Sequence, residues 1–287
     1  MIKEKTNRKR TIISIVVIAV ELVLIAGVLI AHSLLPEPPG TVQAATDTKP
    51  SESIYYHWQV LPPRIPLNDY IPEDFVMVDG FMTHKTAPYM VGIDVSSHQG
   101  AIDWKQVKEA GVEFVIIRLG YRGYGEEGRL VKDPMAQEYY EGAKEQGLLV
   151  GGYVFSQALT EQEAVEEAKM ALEVTADWQL DLPVAFDWEF LHFEARTQDM
   201  VPRLITNCAK AFCRTLEEGG VQPMLYTGLY VKTLKLEEVK QYPMWLALYS
   251  ENMSYDYWMN FWQYSCTGKV PGIETDVDLN IYLSKTD

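Results

Sequence analysis

Cysteine is scarce in this chain, which has only three among its 287 residues: Cys208, Cys213 and Cys266. No two of them form a CxxC pair, and no His/Cys cluster has the spacing of a metal site. Cys208 and Cys213 lie on different faces of a predicted helix, so a bridge between them would be strained. The sequence therefore predicts three small core residues and a fold that does not depend on disulfides.

Basic residues are also few, and this excludes one class of partner. The 25 Lys and Arg residues are outnumbered by 40 Asp and Glu residues, which gives a formal net charge of −15. The first 35 residues hold five basic and two acidic residues, so the rest of the chain is more acidic than the total indicates. Such a surface repels a phosphate backbone, and we expect no nucleic-acid partner.

One long apolar run, residues 11–31, follows the basic start of the chain. About 21 residues at ~1.5 Å each span the ~30 Å hydrocarbon core of a membrane. The run exceeds the ~7–15 apolar residues of a cleaved signal peptide, although a segment resembling a cleavage site, residues 42–44, follows it. The positive-inside rule places residues 1–10 in the cytoplasm. We predict a transmembrane signal anchor over residues 11–32 with the rest of the chain outside the cell, or a secreted form if the chain is cut.

Residues 33–87 are predicted to be an extracytoplasmic linker and extension. Residues 36–53 are rich in Pro, Thr, Ser and Ala, a composition typical of an extended tether. Residues 54–87 add aromatic residues to the prolines, and we expect them to lie against the surface of the following domain.

From residue 88 onward, short apolar runs rich in β-branched residues recur, with helical patterns mainly between the first five. Asp103 and Thr160 are predicted to cap two of these helices. The alternation predicts an α/β fold with parallel strands, and eight strands predict an irregular β/α barrel over residues 88–287. The predicted strands are Val91–Val95, Glu113–Leu119, Leu148–Phe155, Pro183–Phe190, Gln222–Thr227, Met244–Tyr249, Phe261–Tyr264 and Val277–Tyr282.

Two carboxylates end the fourth predicted strand, where β/α barrels carry their reacting groups. Asp187 and Glu189 are two residues apart and so face the same side, while Trp188 faces the other. Acidic groups inside an apolar run cost several kcal/mol unless they meet water, a partner or a substrate. Glycosidic cleavage needs one acid to protonate the leaving oxygen and a second negative group. The pair fits that chemistry, and a structural acid pair at a strand end is the alternative.

Further candidates follow from closure of the barrel, which places the first and last strands side by side and the fourth across the mouth. Asp94 ends the first strand, and either Asp276 or Asp278 begins the last, so these acids would converge with the pair. Sugar rings stack on aromatic side chains, although most aromatic residues of a barrel belong to its core. The candidates for substrate binding are Tyr121, Tyr153, Phe155, Tyr226 and Trp262.

Motifs in these strands resemble glycoside hydrolase family 25, the lysozymes or N-acetylmuramidases. The resemblance covers roughly residues 88–285. It implies a flattened barrel of eight strands and about five helices that cuts the β-1,4 bond between N-acetylmuramic acid and N-acetylglucosamine, with no metal or cofactor. The motifs are Gly92–Gly100 with Ile102–Trp104, Pro183–Glu189, and Phe261–Ser265 with Val277–Asn280.

The resemblance also implies residue roles. Glu189 matches the general acid of the family, and Asp187 matches the acid thought to orient or stabilise the 2-acetamido group of the substrate. Asp94 matches the aspartate of the first strand, and Asp278 is preferred to Asp276 as the fourth acid. The expected partner is the glycan strand of peptidoglycan at the cell surface. The alternatives are a glycan-binding module without catalysis and a β-glycosidase of chitinase-like specificity.

Overall fold

The computed structural model describes residues 66–191, 195–228 and 234–284. The predicted cytoplasmic segment, anchor and tether lie outside these residues. Within them, no helix has both the length and the apolar character that a membrane span requires.

Eight strands close into a barrel in the order β3-β11-β10-β9-β8-β7-β6-β4, and β3 pairs with β4 to complete the ring. The ring is parallel except for β11, which runs antiparallel to both of its neighbours. The strands are β1 (Phe75–Val78), β2 (Phe81–His84), β3 (Tyr89–Val95), β4 (Phe114–Arg122), β5 (Leu130–Lys132), β6 (Leu149–Ser156), β7 (Val184–Trp188), β8 (Pro223–Gly228), β9 (Met244–Ala247), β10 (Phe261–Gly268) and β11 (Val277–Leu283).

Four α-helices lie in the described residues, rather than the five expected. They are α1 (Trp104–Glu109), α2 (Ala136–Glu145), α3 (Glu161–Val174) and α4 (Pro202–Glu218). The two predicted caps are confirmed. The Asp103 side chain accepts a hydrogen bond from the Gln106 amide at 3.1 Å, and Thr160 accepts one from the Glu163 amide at 3.2 Å. Each cap satisfies a backbone donor that the first helical turn leaves free.

The core has two layers, because each barrel strand is buried on both faces. In β4, Phe114 and Ile116 point into the barrel, whereas Val115 and Ile117 point outward to the helices. This double burial explains the near-continuous apolar runs of the sequence. All eight predicted strands of the barrel are present, each within a few residues of its predicted bounds.

A hairpin of β1 and β2 was not predicted, and it covers the outer face of the barrel. Asp79 and Gly80 both adopt positive φ angles, 51° and 87°, which a two-residue hairpin turn of type I′ requires. The Phe75 ring packs edge-on against Trp262, with 5.2 Å between the ring centroids. The extension from residue 66 onward therefore packs against the barrel wall.

The cysteines correct one expectation. Cys208 and Cys213 are buried on α4, but Cys266 is exposed near the end of β10 and is not a core residue. All three are free thiols. β10 continues past Tyr264 to Gly268, beyond the predicted strand, and Cys266 lies in that extension.

Candidate active site

Four carboxyl groups meet at the barrel mouth. Asp94 ends β3 and lies directly opposite Asp278 of β11 in the strand register. Asp187 lies in β7, and Glu189 follows immediately after that strand. Asp94 and Asp187 are both only 5% exposed, whereas Glu189 and Asp278 are half-buried. The structure thus brings together acids that are far apart in the sequence.

The crowding of these acids raises their pKa values. Burial, the charge of Glu189 and a hydrogen bond with its carboxyl group raise the pKa of Asp187 well above its usual range, while Arg118 lowers it. Burial and then the charge of Asp278 raise the pKa of Asp94. Burial and the charge of Glu189 raise the pKa of Asp278 to about 6. The crowding therefore favours the protonated forms of these acids, and general-acid catalysis needs a protonated carboxyl group.

Of the two aspartates around Val277, only Asp278 joins this cluster. Asp276 precedes β11, its side chain is 54% exposed, and it forms an ion pair with Lys269 at 2.6 Å. The two residues are adjacent to the same valine, but β11 begins at that valine, so Asp276 lies outside the paired strand and Asp278 is paired with Asp94.

Most of the aromatic candidates lie on the inner face of the barrel, close to the acids. Phe155 and Tyr226 flank Asp187 on the two neighbouring strands, and Tyr121 pairs with Phe155. Tyr153 lies on the inner face of β6, where burial and then the charge of Asp94 raise its pKa. Tyr226 is largely buried and donates a hydrogen bond to Gln263, so it forms part of the wall.

Trp262 does not face the barrel interior, and its assignment to substrate binding was wrong. It has no exposed surface, it packs against Phe75 and Tyr264, and its indole N–H donates to the Leu248 carbonyl at 2.8 Å. The physical reason is strand alternation: Phe261 points into the barrel, so Trp262 points outward.

The family model for glycosyl hydrolases family 25 matches residues 93–273, which is more than half of the chain. The chain belongs to this family. The autolytic lysozyme of Clostridium acetobutylicum is 31% identical to it over 195 residues, covering 67% of this chain and 55% of that protein. A bacterial lysozyme structure from Streptomyces coelicolor has a TM-score of 0.52 at 25% identity, covering 67% of this chain and 91% of that one.

A third relative supports the family 25 fold. The modular autolysin LytC of Streptococcus pneumoniae, in complex with a synthetic peptidoglycan ligand, has a TM-score of 0.59 at 22% identity, covering 72% of this chain and 52% of that one. This family 25 chain therefore spans just over half the length of that autolysin and of the clostridial lysozyme. The predicted family resemblance is confirmed.

Sequence reasoning missed three polar residues of this family 25 site. Gln263 and Asn280 stand in the quoted motifs, but no role was assigned to them. Arg118 is a cation inside the predicted apolar strand Glu113–Leu119, in phase with the inward-facing Phe114 and Ile116, and that position was the available signal. Its Nε donates to the buried Asp133 at 2.7 Å, and its guanidinium lies 5.3 Å from the centroid of the Tyr121 ring.

No metal site is formed in the part of the chain that the structure describes, since His, Cys, Asp and Glu side chains nowhere group in threes as ligands. The residues gathered at this family 25 site carry carboxyl groups, amides and aromatic rings. Such a set can donate and accept protons, stabilise a positively charged sugar and stack on its rings.

Proposed function

We propose that the protein is a peptidoglycan hydrolase of the N-acetylmuramidase type. The observation that carries the proposal is the convergence of four carboxyl groups at the mouth of a family 25 barrel. The autolytic lysozyme that is 31% identical to this chain supports glycan strands of the bacterial wall as the substrate class. The bond cleaved is the β-1,4 bond between N-acetylmuramic acid and N-acetylglucosamine.

Glu189 is the proposed general acid. It is half-buried immediately after β7, and its carboxyl group is hydrogen-bonded to that of Asp187. A carboxylic acid held in its protonated form near neutral pH can protonate the oxygen of the leaving sugar. Asp94 and Asp278 supply negative charge opposite this acid as the sugar becomes positively charged.

Asp187 is the proposed partner of the 2-acetamido group. Its Oδ1 is buried and accepts no hydrogen bond from the described residues. A buried acceptor without a donor is costly, and the N–H of an acetamido group would satisfy it. When Asp187 orients the acetamido group, the carbonyl oxygen of that group can act as the nucleophile. No carboxylate of the enzyme is then needed as the nucleophile.

A product analysis tests the proposed bond specificity. The purified full-length chain, in detergent, is incubated with peptidoglycan, and the products are reduced with borohydride and measured by mass spectrometry. We expect fragments that end in reduced N-acetylmuramic acid. Fragments that end in reduced N-acetylglucosamine would mean that the protein is a glucosaminidase. Cleavage of chitin oligomers alone would mean a chitinase-like enzyme. Tight binding without cleavage would mean a glycan-binding module.

We further propose that residues 11–32 anchor the enzyme in the cell membrane, with the barrel outside. The support is the apolar run and the basic residues before it. We expect the full chain to remain in the membrane fraction after an alkaline wash, and protease added to spheroplasts to digest the barrel. A chain without residues 11–32 is the control and should be absent from that fraction. A full chain found only in the medium would mean that the segment is cleaved.

A further inference from the structure

Asp94 is held by two amide side chains from the neighbouring strands. Its Oδ2 accepts hydrogen bonds from Nε2 of Gln263 at 2.8 Å and from Nδ2 of Asn280 at 2.7 Å. All three side chains are buried: Asp94 is 5% exposed, Gln263 4% and Asn280 not at all. Since both donors meet the same oxygen, the plane of the carboxyl group is fixed.

The amide groups are themselves oriented by aromatic donors. The indole N–H of Trp245 donates to Oδ1 of Asn280 at 2.8 Å. An indole nitrogen can only donate, so the oxygen of Asn280 must face Trp245 and its NH2 group must face Asp94. Tyr226 and Tyr249 donate to Oε1 of Gln263 at 2.8 Å and 3.1 Å, and the NH2 group of Gln263 faces Asp94.

We propose that Gln263 and Asn280 are positioning residues that orient the Asp94 carboxyl group and favour its ionised form. Hydrogen bonds donated to a carboxylate stabilise its charged form. They act here against burial and against the charges of Asp278 and Glu189, which raise the pKa of Asp94. A catalytic role of Asp94 rests on the proposed hydrolase function, whereas its hydrogen bonding to the two amides does not.

The Arg118 guanidinium does not orient the Asp94 carboxyl group. Its Nε donates a hydrogen bond to Asp133, and its Nη2 donates one to the hydroxyl oxygen of Ser97 at 3.0 Å. Asp133 also accepts from the amide of Ser97 at 3.1 Å. The hydrogen bonds of Arg118 to Asp133 and Ser97 therefore hold the segment after β3, while the hydrogen bonds to Asp94 come from amides.

The test replaces Asn280 with leucine, which has a similar shape and no donor. The chain is labelled with carbon-13 in its aspartate carboxyl groups, and the Asp94 signal is assigned by its loss in Asp94→Asn. We expect the titration midpoint of Asp94 to rise by about one pH unit in Asn280→Leu. We also expect kcat on peptidoglycan to fall about tenfold while KM stays within about twofold, because a misplaced carboxyl group affects the transition state more than binding.

Two further variants keep the result interpretable. In Asn280→Leu alone, the buried indole N–H of Trp245 would lose its acceptor. Combining this change with Trp245→Phe removes that unpaired donor as well, which protects folding. Asn260→Leu is the matched control, since Asn260 precedes β10 and its side chain accepts a hydrogen bond from the Met244 amide rather than donating to Asp94. An unchanged Asp94 midpoint in the folded double variant would overturn the inference. If the wild-type chain had no hydrolase activity, the proposed function would be overturned instead. The inference about Asp94 would still be tested, because the titration needs no substrate.

Discussion

Glu189→Gln is expected to lower kcat on peptidoglycan by about 10³-fold, in the middle of the range for loss of a general acid. Glutamine matches the shape of glutamate but has no proton to give to the leaving oxygen. Glu189 is hydrogen-bonded to Asp187 at the barrel mouth, so the change lies within the carboxyl cluster. The measurement is the initial rate at which new reducing ends appear, with equal amounts of each purified protein.

Glu145→Gln makes the same chemical change on the exposed face of α2, and it should leave the rate unchanged. Equal melting temperatures for both variants and the wild type would show that folding is intact. If Glu189→Gln retained more than about a tenth of the wild-type rate, Glu189 would not be the general acid.

Asp278→Asn should lower kcat/KM at least about tenfold at about pH 7.5, and much less at about pH 5. Burial and the charge of Glu189 raise the pKa of Asp278 to about 6. The wild-type group is therefore ionised above that pH and protonated below it. Asparagine resembles the protonated form at every pH, so the variant loses a charge only where the wild type has one. Rates measured across that pH range give the comparison.

Asp276→Asn is the matched control for this experiment, because Asp276 forms an exposed ion pair with Lys269. An exposed pair contributes about 0–1 kcal/mol, and Asp276 is not one of the four clustered acids, so the control should behave like the wild type at each pH. A defect of Asp278→Asn that is equal at both pH values would contradict the assignment of its effect to charge.

The strands of the barrel were predictable because burial on both faces leaves a clear apolar run. Helix starts at Asp103 and Thr160 were predictable for a local reason, since a cap needs only residues of the next turn. The antiparallel direction of β11 was not, because an apolar run does not encode strand direction. The hairpin of β1 and β2 was missed although its Asp79-Gly80 turn is a strong local signal.

The residues of the candidate site likewise fall into those that the sequence indicated and those that it did not. The four acids were found because an acidic group in an apolar strand is conspicuous. Gln263 and Asn280 were not, since an amide gains its role from partners such as Trp245, which only the folded chain brings near. Trp262 was misassigned because its aromatic character was read without the alternation of β10, which turns it outward. The sequence showed which residues could take part in the chemistry, but it did not show in which direction their side chains point.

The pairing of β3 with β11 has a consequence for biosynthesis. Asp94 and its amide donor Asn280 are 186 positions apart, and their strands are neighbours. Contacts over so long a stretch of chain form late, after loop closure has been overcome. We therefore expect the cluster of four carboxyl groups to be complete only after the ribosome has released β11. A chain stopped by a nonsense codon before that strand would hold Glu189 and Asp187 but would lack both Asp278 and the hydrogen bond from Asn280 to Asp94, so the proposed hydrolase activity would require β11.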